Sequence, residues 1–178
     1  KTVVAKLQAL KVNALGMTGA DGNLIRSTKR PVKGIDYGFV GDVQEINTQL
    51  IHQLLQVGLL PVINAITHDQ KGQLLNTNAD SIASALATGL ALEHHVDLYF
   101  CFNKPGVLVD EKNEQSIIPL INEDIYKELR KENVIHSGMI PKLDNAFEAL
   151  KQGVQRVWIG KAENLLMAVK GKKAGTII

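Results

Sequence analysis

The segment Leu75-Asn76-Thr77-Asn78-Ala79-Asp80 leads directly into an amphipathic helix predicted over Ile82 to Leu92, and an apolar strand predicted over Val96 to Phe102 follows. This helix-then-strand order recurs along the chain. One such pair is a helix capped by Asn47 or Thr48 and ended by Gly58, followed by a short buried strand over Leu59 to Ile63. The other predicted pairs are Ile140 to Leu150 with Arg156 to Ile159, and Ala162 to Val169 with Thr176 to Ile178. Such alternation favours an α/β fold around a mainly parallel sheet.

The first part of the chain carries fewer regular signals. Val12 to Met17 is typical of a strand, and the Asp21-Gly22 pair before Leu24 and Ile25 predicts a hairpin whose turn needs a residue tolerant of positive φ. A second extended segment is predicted over Tyr37 to Val43. The chain opens without methionine on a helical pattern, so we interpret it as a fragment of a longer protein.

Composition excludes several classes of function. The formal charge of +2 is spread along the 178 residues without a basic stripe, so nucleic acid and anionic membranes are not expected partners. No apolar run approaches the roughly 20 residues that span a bilayer, and the first residues resemble no signal peptide, which predicts a cytoplasmic protein. The single cysteine, Cys101, lies in an apolar run and is expected to be a buried core thiol. Trp158, in the short strand Arg156 to Ile159, is expected to be a core residue.

Ligands of parallel sheets bind where strands end, so residues Asn76 to Asp80, which we call the polar step, are a candidate site. Asn76 and Asn78 project to one side of an extended segment, where amides can donate to a substrate carboxylate and accept from its N–H. Asp80 at the helix entry can orient nearby lysines. The alternative is an ordinary Asp N-cap after a polar loop.

Two further segments follow the same rule. Lys142 is expected in the first turn of its helix, where a cation and the helix dipole can together hold a transferring phosphoryl group, although a solvated surface lysine is the alternative. Residues 103–108 follow a buried strand, and Gly106 would let backbone approach a nucleotide, although an ordinary turn explains it equally well. The paired His94 and His95 have no third partner at metal-ligand spacing.

Together these segments resemble the acetylglutamate kinases of the amino-acid kinase family over nearly the whole chain. The resemblance lies in these motifs: Gly16-Met17-Thr18-Gly19-Ala20-Asp21-Gly22, Gly38-Phe39-Val40-Gly41-Asp42-Val43, Leu60-Pro61-Val62-Ile63, Asn76-Thr77-Asn78-Ala79-Asp80, Gly106-Val107-Leu108, Gly138-Met139-Ile140-Pro141-Lys142 and Gly175-Thr176-Ile177-Ile178. The N-x-N-A-D and G-M-I-x-K steps in this order are specific to the family.

The resemblance implies a three-layer αβα sandwich, with an acylglutamate-binding lobe over residues 1–95 and a nucleotide-binding lobe over residues 96–178. It implies transfer of phosphate from ATP with Mg²⁺ to the side-chain carboxylate of N-acetylglutamate or N-succinylglutamate, a step of arginine biosynthesis, in a homodimer. The implied roles are catalytic for Lys142 and Asp80, substrate-binding for Asn76 and Asn78, and nucleotide-binding for Asn103, Gly106, Val107, Leu108, Ile135 and His136. No metal-ligating residues are implied.

The chain also departs from the family. The N-terminal lysine-glycine-glycine strand end and a second glycine-rich loop are absent before Lys1, so the chain alone is expected to be inactive. Asn103 replaces the usual aspartate, and residues 64–68 lack the expected turn, which suggests an acyl group larger than acetyl. Arginine inhibition has no support in residues 170–174. The alternatives are a catalytically silent binding module of the same fold and another carboxylate kinase of the family.

Overall fold

The computed structural model describes residues 1–135 and 138–178, and these form two compact units, Lys1–Gly89 and Leu90–Ile178. Both units combine helices with strands, which confirms the predicted α/β class. Within the described residues, no helix has both the length and the apolar character needed to cross a membrane.

The first unit contains a parallel strand pair and a small closed barrel. Strand β1 pairs in parallel with β4, and the barrel has the order β2-β3-β6-β5, with antiparallel β2–β3 and β5–β6 and parallel β3–β6 and β2–β5. The elements are α1 (Thr2–Ala9), β1 (Ala14–Met17), β2 (Ile25–Lys29), β3 (Val40–Ile46), α2 (Thr48–Gln56), β4 (Leu60–Ile63), β5 (Ile66–His68), β6 (Leu74–Thr77) and α3 (Ala79–Ala91).

Local signals set the ends of α2. The Asn47 side chain accepts a hydrogen bond from the Leu50 amide at 3.0 Å, so Asn47 is the N-cap. Gly58, just past the helix, adopts a φ of 76° that favours glycine. Both ends agree with the prediction.

The hairpin predicted at Asp21-Gly22 is wrong. The segment does turn, through a short 3₁₀ helix at Asp21–Asn23 with positive φ at Gly22 and Asn23. However, β1 pairs with β4, with Ala14 opposite Leu60, and β2 pairs with β3. The predicted strand over residues 59–63 does exist, but it is only partly covered rather than buried.

The second unit is built on a three-stranded sheet. Its elements are β7 (Asp97–Phe102), α4 (Glu123–Lys131), α5 (Ile140–Lys151), β8 (Arg156–Lys161), α6 (Leu165–Val169) and β9 (Thr176–Ile177). Strands β7 and β8 are parallel, and β9 is antiparallel to β8. Leu143, Ala146 and Phe147 form the buried face of α5.

Trp158 and Cys101 show which residues this sheet buries. Trp158 is 2% exposed and donates from Nε1 to the Ala174 carbonyl at 2.6 Å, which confirms a core position. Cys101 is exposed, contrary to the prediction, because side chains alternate along β7 and the buried positions are Leu98 and Phe100. An apolar run therefore marks the strand without telling which face each side chain takes.

Candidate active site

In the first unit, three motif segments that are distant in sequence meet around Asn76. The Asn76 amide donates to the Phe39 carbonyl at 2.8 Å, and the Thr77 amide donates to the Ala65 carbonyl at 2.9 Å. The Gly19 amide donates to the Ile66 carbonyl at 2.6 Å, and Ile66 is also the register partner of Asn76. Main-chain hydrogen bonds thus bring the 16–22 loop and the ends of β3 and β5 around the polar step.

The polar step has the predicted alternation. Asn76 and Asn78 are exposed, whereas Leu75 and Thr77 between them are buried. The Thr77 hydroxyl lies 2.8 Å from the Thr67 hydroxyl, so a buried hydrogen bond anchors β6 to β5. The two amides therefore project from a rigid strand end.

The N-cap of α3 is Asn78 rather than Asp80. The Asn78 side-chain oxygen accepts from the Ser81 amide at 3.0 Å, as an N-cap residue does. Asp80 lies inside the first turn and is half-buried, at a position where the helix dipole favours a carboxylate. The Asn78 oxygen is therefore used structurally, and its amide nitrogen is the part suited to a substrate carboxylate.

The glycine-containing loop 16–22 is shaped by packing. A Cβ on Gly19 would lie 2.8 Å from Ile25 Cβ and 3.0 Å from the Ile66 carbonyl, so only glycine fits there. Thr18 donates from its amide to the Asp21 carboxylate at 2.7 Å and from its hydroxyl at 2.9 Å. These hydrogen bonds lower the pKa of Asp21, the amide contributing most. The loop is thus preorganised beside Asn76.

In the second unit, a cavity of about 340 Å³ opens beside Lys142. The described residues that were predicted to bind nucleotide all line it; the prediction for His136 falls outside the described residues. These residues are Asn103, Gly106, Val107, Leu108 and Ile135. The structure therefore brings two segments that are about 30 residues apart in sequence to one wall of a ligand-sized cavity.

The loop at residues 103–118 is held in place by a buried hydroxyl from the last strand. Thr176 is fully buried, and its Oγ1 accepts from the Val107 amide at 2.8 Å and donates to the Ile118 carbonyl at 2.7 Å. A Cβ on Gly106 would lie 2.8 Å from the same Oγ1 and 2.9 Å from Ile117 Cγ2. Gly106 thus serves the close packing of this loop, which is a structural reason that the sequence analysis did not foresee.

Lys142 lies in the first turn of α5 and is half-buried. Its Nζ is 4.6 Å from the centre of the Phe100 ring and 5.9 Å from the centre of the Phe102 ring. A cation at a helix N-terminus costs about 0.3–1 kcal/mol. Cation–π contacts contribute about 0.5–2 kcal/mol, which is enough to offset that cost. The predicted lysine therefore has an aromatic support.

Two cavity residues, Phe102 and Glu111, lie outside the segments selected from the sequence. Phe102, Lys104, Glu111 and Met139 also line the cavity. Lys104 donates from Nζ to the Glu111 carbonyl at 3.1 Å, which closes the loop between them. The signal for Phe102 was available, because it follows Phe100 by two residues on a strand; the Lys104 contact depends on the fold of the loop and leaves no pattern.

Comparison with known proteins places this chain in a family of kinases. Residues 1–161 match the model of the Amino acid kinase family, and the chain belongs to that family. It is 52% identical over 165 residues to the acetylglutamate kinase of Parabacteroides distasonis, a match that covers 93% of this chain and 65% of the relative. The acetylglutamate kinase of Phocaeicola vulgatus is 48% identical, with 100% of this chain and 67% of the relative covered.

A solved structure has the same fold. The smu.665 protein of Streptococcus mutans UA159 superposes with a TM-score of 0.79 at 29% identity, over 98% of this chain and 64% of that protein. The chain spans about two thirds of the length of these relatives. Its similarity to the acetylglutamate kinases is thus confirmed over nearly all of this chain and part of theirs.

Proposed function

We propose that the protein containing this chain transfers the γ-phosphoryl group of ATP to the side-chain carboxylate of an N-acylglutamate. The observation that carries the proposal is the position of Lys142, a cation in the first turn of a helix beside a cavity of about 340 Å³. A cation and a helix N-terminus together suit the charge that develops on a transferring phosphoryl group. The similarity to acetylglutamate kinases supports the choice of reaction.

In the proposed reaction, an oxygen of the substrate carboxylate attacks the γ-phosphorus in line. The bond from that phosphorus to the β–γ bridging oxygen breaks, and ADP leaves with its electron pair. A carboxylate is already a nucleophile, so no general base is required. The protein contributes alignment of the two reactants and positive charge from Lys142.

Asn76 and Asn78 are the proposed acceptor-site residues. Their exposed amides stand at the end of a strand that buried Leu75 and Thr77 hold in place. Side-chain amides can donate to a carboxylate and accept from an amide N–H, and an N-acylglutamate carries both groups. Residues 64–68 run beside Asn76, so they are suited to contact the acyl group.

In this proposal, magnesium binds together with the nucleotide. The described lining of the cavity includes one acidic residue, Glu111, and two basic residues, Lys104 and Lys142, a set that suits phosphate better than it suits a dedicated metal cage. Mg²⁺ prefers oxygen ligands from phosphates and water with few from protein. When bound, it would neutralise charge on the phosphates, and Lys142 would act on the transferring group.

The remaining parts of the proposal rest on the similar enzymes. We place the reaction in arginine biosynthesis, in the cytoplasm, and in a homodimer, with residues 1–95 contributing acylglutamate binding and residues 96–178 contributing nucleotide binding. The acyl group is acetyl or a larger group such as succinyl, because residues 64–68 depart from the expected turn and their last three, strand Ile66–His68, run next to the proposed acceptor site.

The test is ATP turnover by the full-length protein with N-acetylglutamate and with N-succinylglutamate, each at saturating magnesium. Turnover with one of them confirms the reaction and identifies the acyl group. ATP binding without turnover on either substrate would refute the kinase and leave a binding module.

A matched pair of lysine variants tests the role of Lys142. Lys142→Met should lower kcat by about 10²–10³-fold, as the removal of one charge-stabilising group does. Lys151→Met on the same helix is the control, because Lys151 pairs with Glu123 at 3.2 Å on the surface of the second unit. Equal kcat values for the two variants would refute the assignment.

A further inference from the structure

Strand β7 presents two aromatic rings to one ammonium group. Phe100 and Phe102 are two residues apart on the strand, so their side chains leave the same face. Both rings lie within about 6 Å of Lys142 Nζ, at 4.6 Å and 5.9 Å. The lysine therefore lies over a pair of rings, which we call the aromatic support.

The two rings are themselves held in different ways. Phe100 is 4% exposed and lies opposite Ile159 in the parallel pairing of β7 with β8. Phe102 is half-buried and lines the cavity. One ring is thus fixed in the core, and the other reaches the cavity wall, so the aromatic support extends from the core to the cavity.

We propose that Phe100 and Phe102 are positioning residues that hold Lys142 Nζ at the cavity for phosphoryl transfer. This inference rests on the proposed function, since Lys142 is the group that would stabilise the transferring phosphate. An aromatic face attracts a cation through its quadrupole but carries no net charge. The rings therefore restrict a flexible side chain without lowering the positive charge that it offers to phosphate.

A spectroscopic measurement tests the contact without any substrate. In the full-length protein with ¹³C-labelled lysine, the Hε protons of Lys142 should be shifted upfield by the ring currents, with the resonance assigned by its loss in Lys142→Arg. Phe100→Leu should move that resonance toward the position of an exposed lysine such as Lys112. An unshifted Lys142 resonance in the wild-type protein would overturn the proposal.

A kinetic series tests whether the contact matters for the reaction. Phe100 is replaced in the full-length protein by mono-, di- and trifluorophenylalanine, which withdraw electron density from the ring while changing its volume little. We expect kcat to fall with each fluorine, by between about twofold and thirtyfold at trifluoro, while KM for both substrates changes less than twofold. A flat kcat across the series would overturn the positioning role.

Phe147 provides a matched control for core packing. It is 9% exposed in the same unit, and its ring stacks on Tyr126 at 5.1 Å. Fluorination at Phe147 should leave kcat unchanged, and an equal fall at both positions would mean that packing, rather than the cation–π contact, is responsible. If the wild-type protein turns over neither acylglutamate, the proposed function fails. The positioning of Lys142 at the cavity is then tested separately by adding Mg·ATP to the labelled protein. If Mg·ATP does not shift the Lys142 resonance, the positioning proposal is refuted as well.

Discussion

The replacement of Thr176 by valine tests a buried polar link in the second unit. Valine has nearly the same shape as threonine but no hydroxyl, so Thr176→Val removes both the hydrogen bond from the Val107 amide at 2.8 Å and the one to the Ile118 carbonyl at 2.7 Å. Thr176 is fully buried, so water cannot replace the lost partner without a rearrangement.

The expected loss follows from the number of groups left without a partner. An unsatisfied buried donor or acceptor costs about 1–3 kcal/mol, and a carbonyl with a second lone pair tolerates the loss better than an amide does. We therefore expect Thr176→Val to lower the free energy of unfolding by about 2–4 kcal/mol. With a slope of about 2 kcal/mol/M in urea, the midpoint should fall by about 1–2 M.

The measurement is urea unfolding followed by the fluorescence of Trp158, the single tryptophan of this chain, which lies in the same unit. Thr176→Ser keeps the hydroxyl and loses one methyl, so it should cost only about 1 kcal/mol. Thr28→Val on an exposed strand position is the control and should change the midpoint little. The reasoning is refuted if Thr176→Val is milder than Thr176→Ser.

Three further predictions concern individual side chains. Asn47→Ala should lower the free energy of unfolding by about 1 kcal/mol in urea titrations, because the Leu50 amide loses its cap; no change would mean that water replaces the side chain. Burial, and then the hydrogen bond to Asp144, raise the pKa of Tyr126 to about 12, so the stability from its neutral phenol is present below about pH 10 and lost as pH rises toward 12. A late step in tyrosinate absorbance that disappears in Tyr126→Phe checks this, and its persistence would contradict the assignment. Partial burial, and then Glu163, raise the pKa of Cys101, so iodoacetamide at neutral pH should alkylate it more slowly than free glutathione despite its exposure, and an equal rate would contradict this.

Features encoded locally were predictable from the sequence. The Asn47 cap and the end of α2 at Gly58 follow from a few neighbouring residues, and both appear as expected. The alternation of Asn76 and Asn78 with buried residues belongs to the same group, because a strand end imposes a period of two.

Features that depend on distant partners were not predictable in the same way. The turn at Gly22 was predicted correctly, but the hairpin was not, because β1 pairs with β4, where Ala14 lies opposite Leu60, 46 residues away. Cys101 was assigned to the wrong face for a related reason, since an apolar run does not reveal which of its alternating side chains point into the core. Helix α4 was missed altogether, although the Asn122 cap, with its side-chain oxygen accepting from the Ile125 amide at 2.8 Å, is a readable start signal.

The residues predicted to bind nucleotide show how far a functional site can be located from the sequence. The resemblance to a family selected residues 103–108 and Lys142, and the fold lines one cavity with them. The aromatic support and the Lys104 contact with the Glu111 carbonyl required coordinates, because each joins residues whose spacing has no characteristic pattern.

The anchoring of the cavity loop by Thr176 sets an order of events during synthesis. The ribosome makes Val107 69 residues before the hydroxyl that accepts its amide, and Ile118 58 residues before it. At about 5–20 residues per second, the loop emerges roughly 3–14 s before its anchor exists. During that interval the loop lacks the Thr176 anchor of its Val107 amide, so the proposed nucleotide site would be completed only once β9 has been made, and a nascent chain stalled before Thr176 would expose Val107 and its apolar neighbours to chaperones.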